Sequence, residues 1–135
     1  MGHAEVPSLP RHPCQASSVR YLHIHTDENG EARFAEGEVS FTSAQFAPPA
    51  PSLDVSAAMG VREMMFTRFP AGWSDAAHPA PARQWMLVLS GRGETSAGGE
   101  TRSWGAGDVV LLEDTTPPGH ATTILEDTLI AVVRL

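Results

Sequence analysis

The chain has 135 residues and a mass of 14.4 kDa, with 41% apolar residues, 19% charged residues and a formal net charge of -7. That length suits one domain around one hydrophobic core, so a single site is expected. The negative charge and nine scattered arginines argue against nucleic acid or an anionic membrane surface as partner, the lack of any lysine excludes Schiff-base catalysis, and the absence of an apolar stretch or secretory leader gives a cytoplasmic protein as the expectation.

Residues 1 to 18 hold three prolines and the lone Cys14 without periodicity, and are expected to form a flexible arm ahead of one domain over residues 19 to 135. A single cysteine permits neither a disulfide framework nor a cysteine metal cluster. RYLHIHT alternates as a strand should, and Asp27-Glu28-Asn29-Gly30 follows it, where Asn-Gly supplies the positive φ angles of a tight hairpin. EARFAE and EVSFTS read as short strands, and the proline-rich segment from Phe46 to Pro51 as an extended connector. From residue 60 onward short β-rich runs recur between turn signals, without the 3.6-residue apolar period of a helix. An all-β sandwich or barrel follows, and closure into a barrel removes exposed edges.

Within that region, Gly72 is followed after five residues by His78, and Gln84 is followed after six by Gly91. Further on come Gly107-Asp108 and, past a long turn, Gly119-His120. These segments resemble the two sequence motifs of the cupin family. His78 stands at the first histidine position, Gln84 at the glutamate position and His120 at the terminal histidine, while Ala80 replaces the second histidine and the second motif's turn is about two residues longer. The resemblance covers roughly residues 60 to 135 and implies an all-β double-stranded β-helix, a jelly-roll barrel with little or no helix. The alternation agrees with it independently: Gln84, Met86 and Val88 share one strand face, and His120, Thr122 and Ile124 another. If both sets turn inward, the two histidines and Gln84 converge.

What the resemblance implies for chemistry is a pocket around His78, Gln84 and His120. The family's site offers three histidine nitrogens and a carboxylate to a divalent ion; here one nitrogen is lost and the anion is a neutral amide, which weakens metal binding. Three alternatives stand: one divalent ion (zinc, manganese, iron or nickel) on His78, Gln84 and His120, a metal-free polar pocket in which His78 and His120 act as acid and base, or a structural role in which the histidines are hydrogen-bonded core residues. Trp73, Met86, Phe66, Arg68 and Thr122 are candidate ligand contacts. For Phe66 and Arg68 the choice is open, because Met64, Phe66 and Arg68 compete with Val61, Met65 and Thr67 for the inner face. His23 and His25 share a face of the first strand, as supplementary site residues or as part of an exposed or interface strand, and Glu113-Asp114 is read as shaping the long turn. The expected function is a small-molecule enzyme of isomerase, cyclase, lyase or dioxygenase type; the alternative is a non-catalytic binding or sensing module. Secondary metabolism and a homodimer packed through the first strands are further implications of the resemblance.

Overall fold

The structure, a computed structural model, describes residues 18–135; the arm expected ahead of them, Cys14 included, lies outside the described residues. In chain order the strands are β1 (Ser18–Thr26), β2 (Ala32–Ser40), β3 (Thr42–Ala44), β4 (Leu53–Val55), β5 (Glu63–Phe69), β6 (Gln84–Ser90), β7 (Arg92–Ala97), β8 (Glu100–Gly105), β9 (Val109–Glu113), β10 (Ala121–Ile124) and β11 (Thr128–Arg134). No helix occurs among the described residues.

Two compact units are present. The smaller holds residues 38–58 and contains the β3–β4 hairpin, in which Thr42 faces Val55 and Ala44 faces Leu53. The larger holds residues 20–37 and 59–135 and carries the barrel. Its main sheet runs β2-β1-β9-β6-β11-β5, and its second sheet β10-β7-β8. β1 and β9 are parallel, whereas β6, β9, β11 and β5 pair antiparallel.

The sequence alternation becomes the inside and outside of this barrel. Ile24 of β1, Met86 and Val88 of β6, Val110 and Leu112 of β9, and Ile130 and Val132 of β11 turn inward, and from the other sheet Trp104 and Ile124 meet them. Burying such branched and aromatic side chains yields about 25 cal/mol per Å² of apolar surface removed from water. The β1–β2 turn is longer than the tight hairpin expected from Asn29-Gly30. Only Gly30 has a positive φ, and the turn is organised by the Asp27 carboxylate, which accepts N–H bonds from Asn29 (2.8 Å) and Glu31 (2.9 Å). An Asx-type turn therefore replaces the two-residue hairpin.

Candidate functional site

The loop between β5 and β6 is what brings the first motif to the second. After a turn in which Trp73 N–H donates to the Pro70 carbonyl (3.1 Å), the chain runs extended against β10. Gly72 N–H donates to Ile124 (2.8 Å), Ile124 N–H to Trp73 (2.8 Å) and Asp75 N–H to Thr122 (3.2 Å). At the end of this zipper His78 and His120 exchange both backbone hydrogen bonds at 3.0 Å. Gly119 makes the approach possible: its φ is +76°, and a Cβ there would collide with the His78 carbonyl. The result is a pair of imidazoles whose centroids lie 5.1 Å apart, on the wall of a cavity of about 450 Å³.

Each histidine has its own carboxylate. His120 donates from Nδ1 to Asp114 Oδ2 at 2.6 Å, and Asp114 is fully buried with Oδ1 lacking any partner among the described residues. With Nδ1 as donor, the neutral ring carries its lone pair on Nε2. His78 donates from Nδ1 to the Pro79 carbonyl (3.0 Å) and from Nε2 to Asp75 Oδ2 (2.7 Å). The Pro79 carbonyl, first, and then the Asp75 carboxylate hold its imidazolium above the usual histidine value, against the opposing effect of burial. Asp75 is itself fixed, because Oδ1 accepts the Thr122 backbone N–H at 2.7 Å. Behind it Thr122 and Thr95 hydroxyls meet at 3.1 Å, and Trp104 donates its indole N–H to Thr95 at 2.9 Å. From His78 through Asp75, Thr122 and Thr95 to Trp104 the bonds thus run in one connected series, and such series hold their members in single rotamers.

These residues do not fit a divalent metal. A histidine that donates from both nitrogens has no lone pair to offer, which removes His78. Gln84 Oε1 already accepts from Arg134 Nε at 3.2 Å, so a cation stands where a metal would need a free oxygen. Ala80 is packed into the apolar core, and no cluster of three or more acidic, histidine or cysteine side chains with ligating geometry occurs among the described residues. Only His120 Nε2 remains, against the three protein ligands that a catalytic zinc requires.

Of the expected ligand contacts, Trp73, Met86 and Thr122 line the cavity together with His78, Gln84 and His120. Phe66 and Arg68 do not. In β5 the other alternate set, Met65, Thr67 and Phe69, faces inward, leaving Phe66 67% exposed on the outside. The register decides this: Phe66 pairs with Ala131 and Arg68 with Leu129, both on the outer face of β11, while inward Ile130 and Val132 oppose Thr67 and Met65. His23 and His25 lie on the face of β1 opposite to Ile24, away from the cavity. There His23 donates to Glu113 Oε1 (2.7 Å), and Arg83 donates to Oε2 (2.6 Å). Burial pushes the Glu113 carboxyl up, but the hydrogen bonds from Arg83 and His23 outweigh it and hold the group below its ordinary value.

Three site residues escaped the sequence reading. Asp75 stands three residues before His78 inside the first motif, a spacing that offered a signal. Asp114, read as a turn residue, is the carboxylate that orients His120. Arg134 ends β11 with the same parity as Ile130 and Val132, and lines the cavity with them.

No family model and no curated protein matches the chain. Among solved structures it is similar to a cupin 2 conserved barrel domain protein from Salinispora arenicola CNS-205, at 18% identity over 82% of this chain and 78% of that one, with a TM-score of 0.46. It is also similar to an RmlC-like cupin protein from Desulfovibrio desulfuricans, at 18% identity over 98% of this chain and 94% of that one, with a TM-score of 0.42. A conserved protein of unknown function from Streptococcus pyogenes, SPY1581, gives 19% identity over 59% and 68% of the two chains and a TM-score of 0.47. The strand order of this chain is that of an all-β protein, and its two motif segments pair with one another at His78 and His120.

Proposed function

We propose that the barrel binds a small organic molecule and acts on it by metal-independent proton transfer between His120 and His78. The observation that carries this reading is the pair of imidazoles 5.1 Å apart, each oriented by a separate carboxylate, on the wall of a mostly apolar cavity. A cavity of about 450 Å³ lies within the range of small-ligand sites. His120 Nε2 is the base: it takes a proton from the bound molecule, and Asp114 stabilises the imidazolium that forms. His78 is the acid: its Nε2–H leaves Asp75 and passes to a second position of the molecule, so the proton count of ligand and protein is unchanged over the pair of transfers. Isomerisation, cyclisation or elimination fits that exchange. Phe69 and Trp73, in edge contact at 4.9 Å, supply an aromatic wall for the ligand body.

The test begins with tag-free protein. Elemental analysis is expected to find no stoichiometric metal, and compounds that raise the melting temperature should do so equally with and without chelator. Those compounds are then incubated in D₂O and followed by proton NMR. Exchange of a ligand C–H for deuterium in the parent protein, abolished by His120→Gln while binding persists, is the expected result. One metal per chain, lost on His78→Ala, would overturn the metal-independent reading. Binding without exchange in the parent protein would instead make the chain a non-catalytic binding module.

A further inference from the structure

Across the inner mouth of the barrel three side chains stand in one row, because Arg134 of β11 is the register partner of both Glu63 in β5 and Gln84 in β6. Arg134 donates from Nη1 to Glu63 at 2.9 Å and from Nε to Gln84 Oε1 at 3.2 Å. The second contact fixes the orientation of the Gln84 amide, and its nitrogen is left facing only the Met86 thioether at 3.7 Å. Sulfur of that kind is a weak acceptor, so this NH₂, on a residue 5% exposed at the cavity wall, is a buried donor without a proper partner. Arg134 Nη2 likewise has no acceptor among the described residues. Two N–H groups at this corner, the Gln84 amide and Arg134 Nη2, are thus left without an oxygen acceptor among the described residues.

Donors in excess call for a ligand oxygen, and a guanidinium beside an amide suits the two oxygens of one carboxylate. Charge sets the limit. The cations Arg134 and His78 face the carboxylates of Glu63, Asp75 and Asp114, so the wall holds no surplus positive charge for a dianion such as a phosphate monoester, and one ligand carboxylate is held by N–H donation and not by net charge. The rest of the wall is apolar and aromatic, through Met65, Phe69, Trp73 and Trp104. We propose that Arg134 and Gln84 form a carboxylate-recognition subsite, and that the molecule taken by the barrel is a monocarboxylic acid with a flat apolar body. This rests on the reading of the cavity as a ligand site, and names the class of ligand.

The experiment is calorimetric titration of the full chain with 2-naphthoate and, as the neutral counterpart of the same shape, naphthalene-2-methanol. The acid is expected to bind at least about tenfold more tightly, the scale of one charge-assisted hydrogen bond. In Arg134→Met that preference should fall to about twofold or less while the alcohol still binds, and Arg134→Lys, which keeps the charge but loses the fork, should fall between. Retained binding of the alcohol shows that each variant is folded. Equal affinity of the parent protein for both probes overturns the subsite and leaves the cavity reading standing. A preference that survives Arg134→Met moves the carboxylate to another cation, and also overturns it. Failure of both probes to bind overturns the subsite and the cavity reading together.

Discussion

His78 keeps two acceptors, a carbonyl and a carboxylate, and both favour its charged form. A folded-state pKa above the ordinary value of 6.5 gives stability that is fully present below that value and is lost as pH rises through the raised one. Because the side chain is 48% exposed, solvent screening limits the contribution to under about 1 kcal/mol. Urea unfolding of the parent and of His78→Gln, compared from about pH 5.5 to 9, should show their difference shrinking as the pH rises. Asp114 poses the opposite situation, a carboxylate with no exposure whose one bonded oxygen selects the His120 tautomer. Asp114→Asn would present an N–H to Nδ1 and move the ring proton to Nε2, removing the base while conserving shape. Long-range ¹H–¹⁵N spectra of the imidazole should show this tautomer change. Proton exchange into a bound ligand is expected to drop by about two orders of magnitude or more, the usual scale of a positioned base.

At the scale of the element, β6 was legible and β5 was not. In β6 the inner set is Gln84, Met86 and Val88, the set that the resemblance of the Gly72–Gly91 segment to the first cupin motif implied. In β5 the two alternate sets, Met64-Phe66-Arg68 and Met65-Thr67-Phe69, are equally mixed, so periodicity carries no information on which turns inward. The pairing with β11 supplies it, and a shift of one residue would exchange the sets. Thr67→Trp should therefore fill the cavity and abolish binding of naphthalene-2-methanol with the fold retained by circular dichroism, whereas Phe66→Ala should leave that affinity within about twofold. The reverse pattern would place Phe66 inside. The segment ahead of β6 makes a different point. It lacks strand composition, with Gly72, Pro79 and Pro81 in it, yet runs as a strand beside β10 because backbone partners at Thr122, Ile124 and His120 are there to receive it.

For the whole molecule, the barrel interior is both core and site. Ile24, with no exposure, packs in one cluster with Val110 and Leu112 and also borders the cavity. Ile24→Ala is expected to cost about 2–3 kcal/mol, the lower part of the range for such truncations, since a void already adjoins it; equilibrium denaturation measures it. β1 lies between β2 and β9, so the expected homodimer would use a face of that strand and not its edges; sedimentation velocity tests for the dimer, and a charge placed on the exposed face, as in Val19→Glu, should dissociate it. No described helix is long and apolar enough to cross a membrane. Turn residues and period-two alternation, which are local properties of the chain, determined by themselves the all-β class and the punctuation of the strands, while His78, Gln84 and His120 were singled out by the resemblance of their motifs. Only the tertiary structure decided that Asp75 and Asp114 orient the two imidazoles, that Arg134 occupies the oxygen of Gln84, and that Phe66 and Arg68 face outward. The two carboxylate contacts span only three and six residues and depend on loop conformation, whereas the last two outcomes depend on strand register and on partners 50 or more residues apart, as between Gln84 and Arg134, which leave no trace in the local pattern of either.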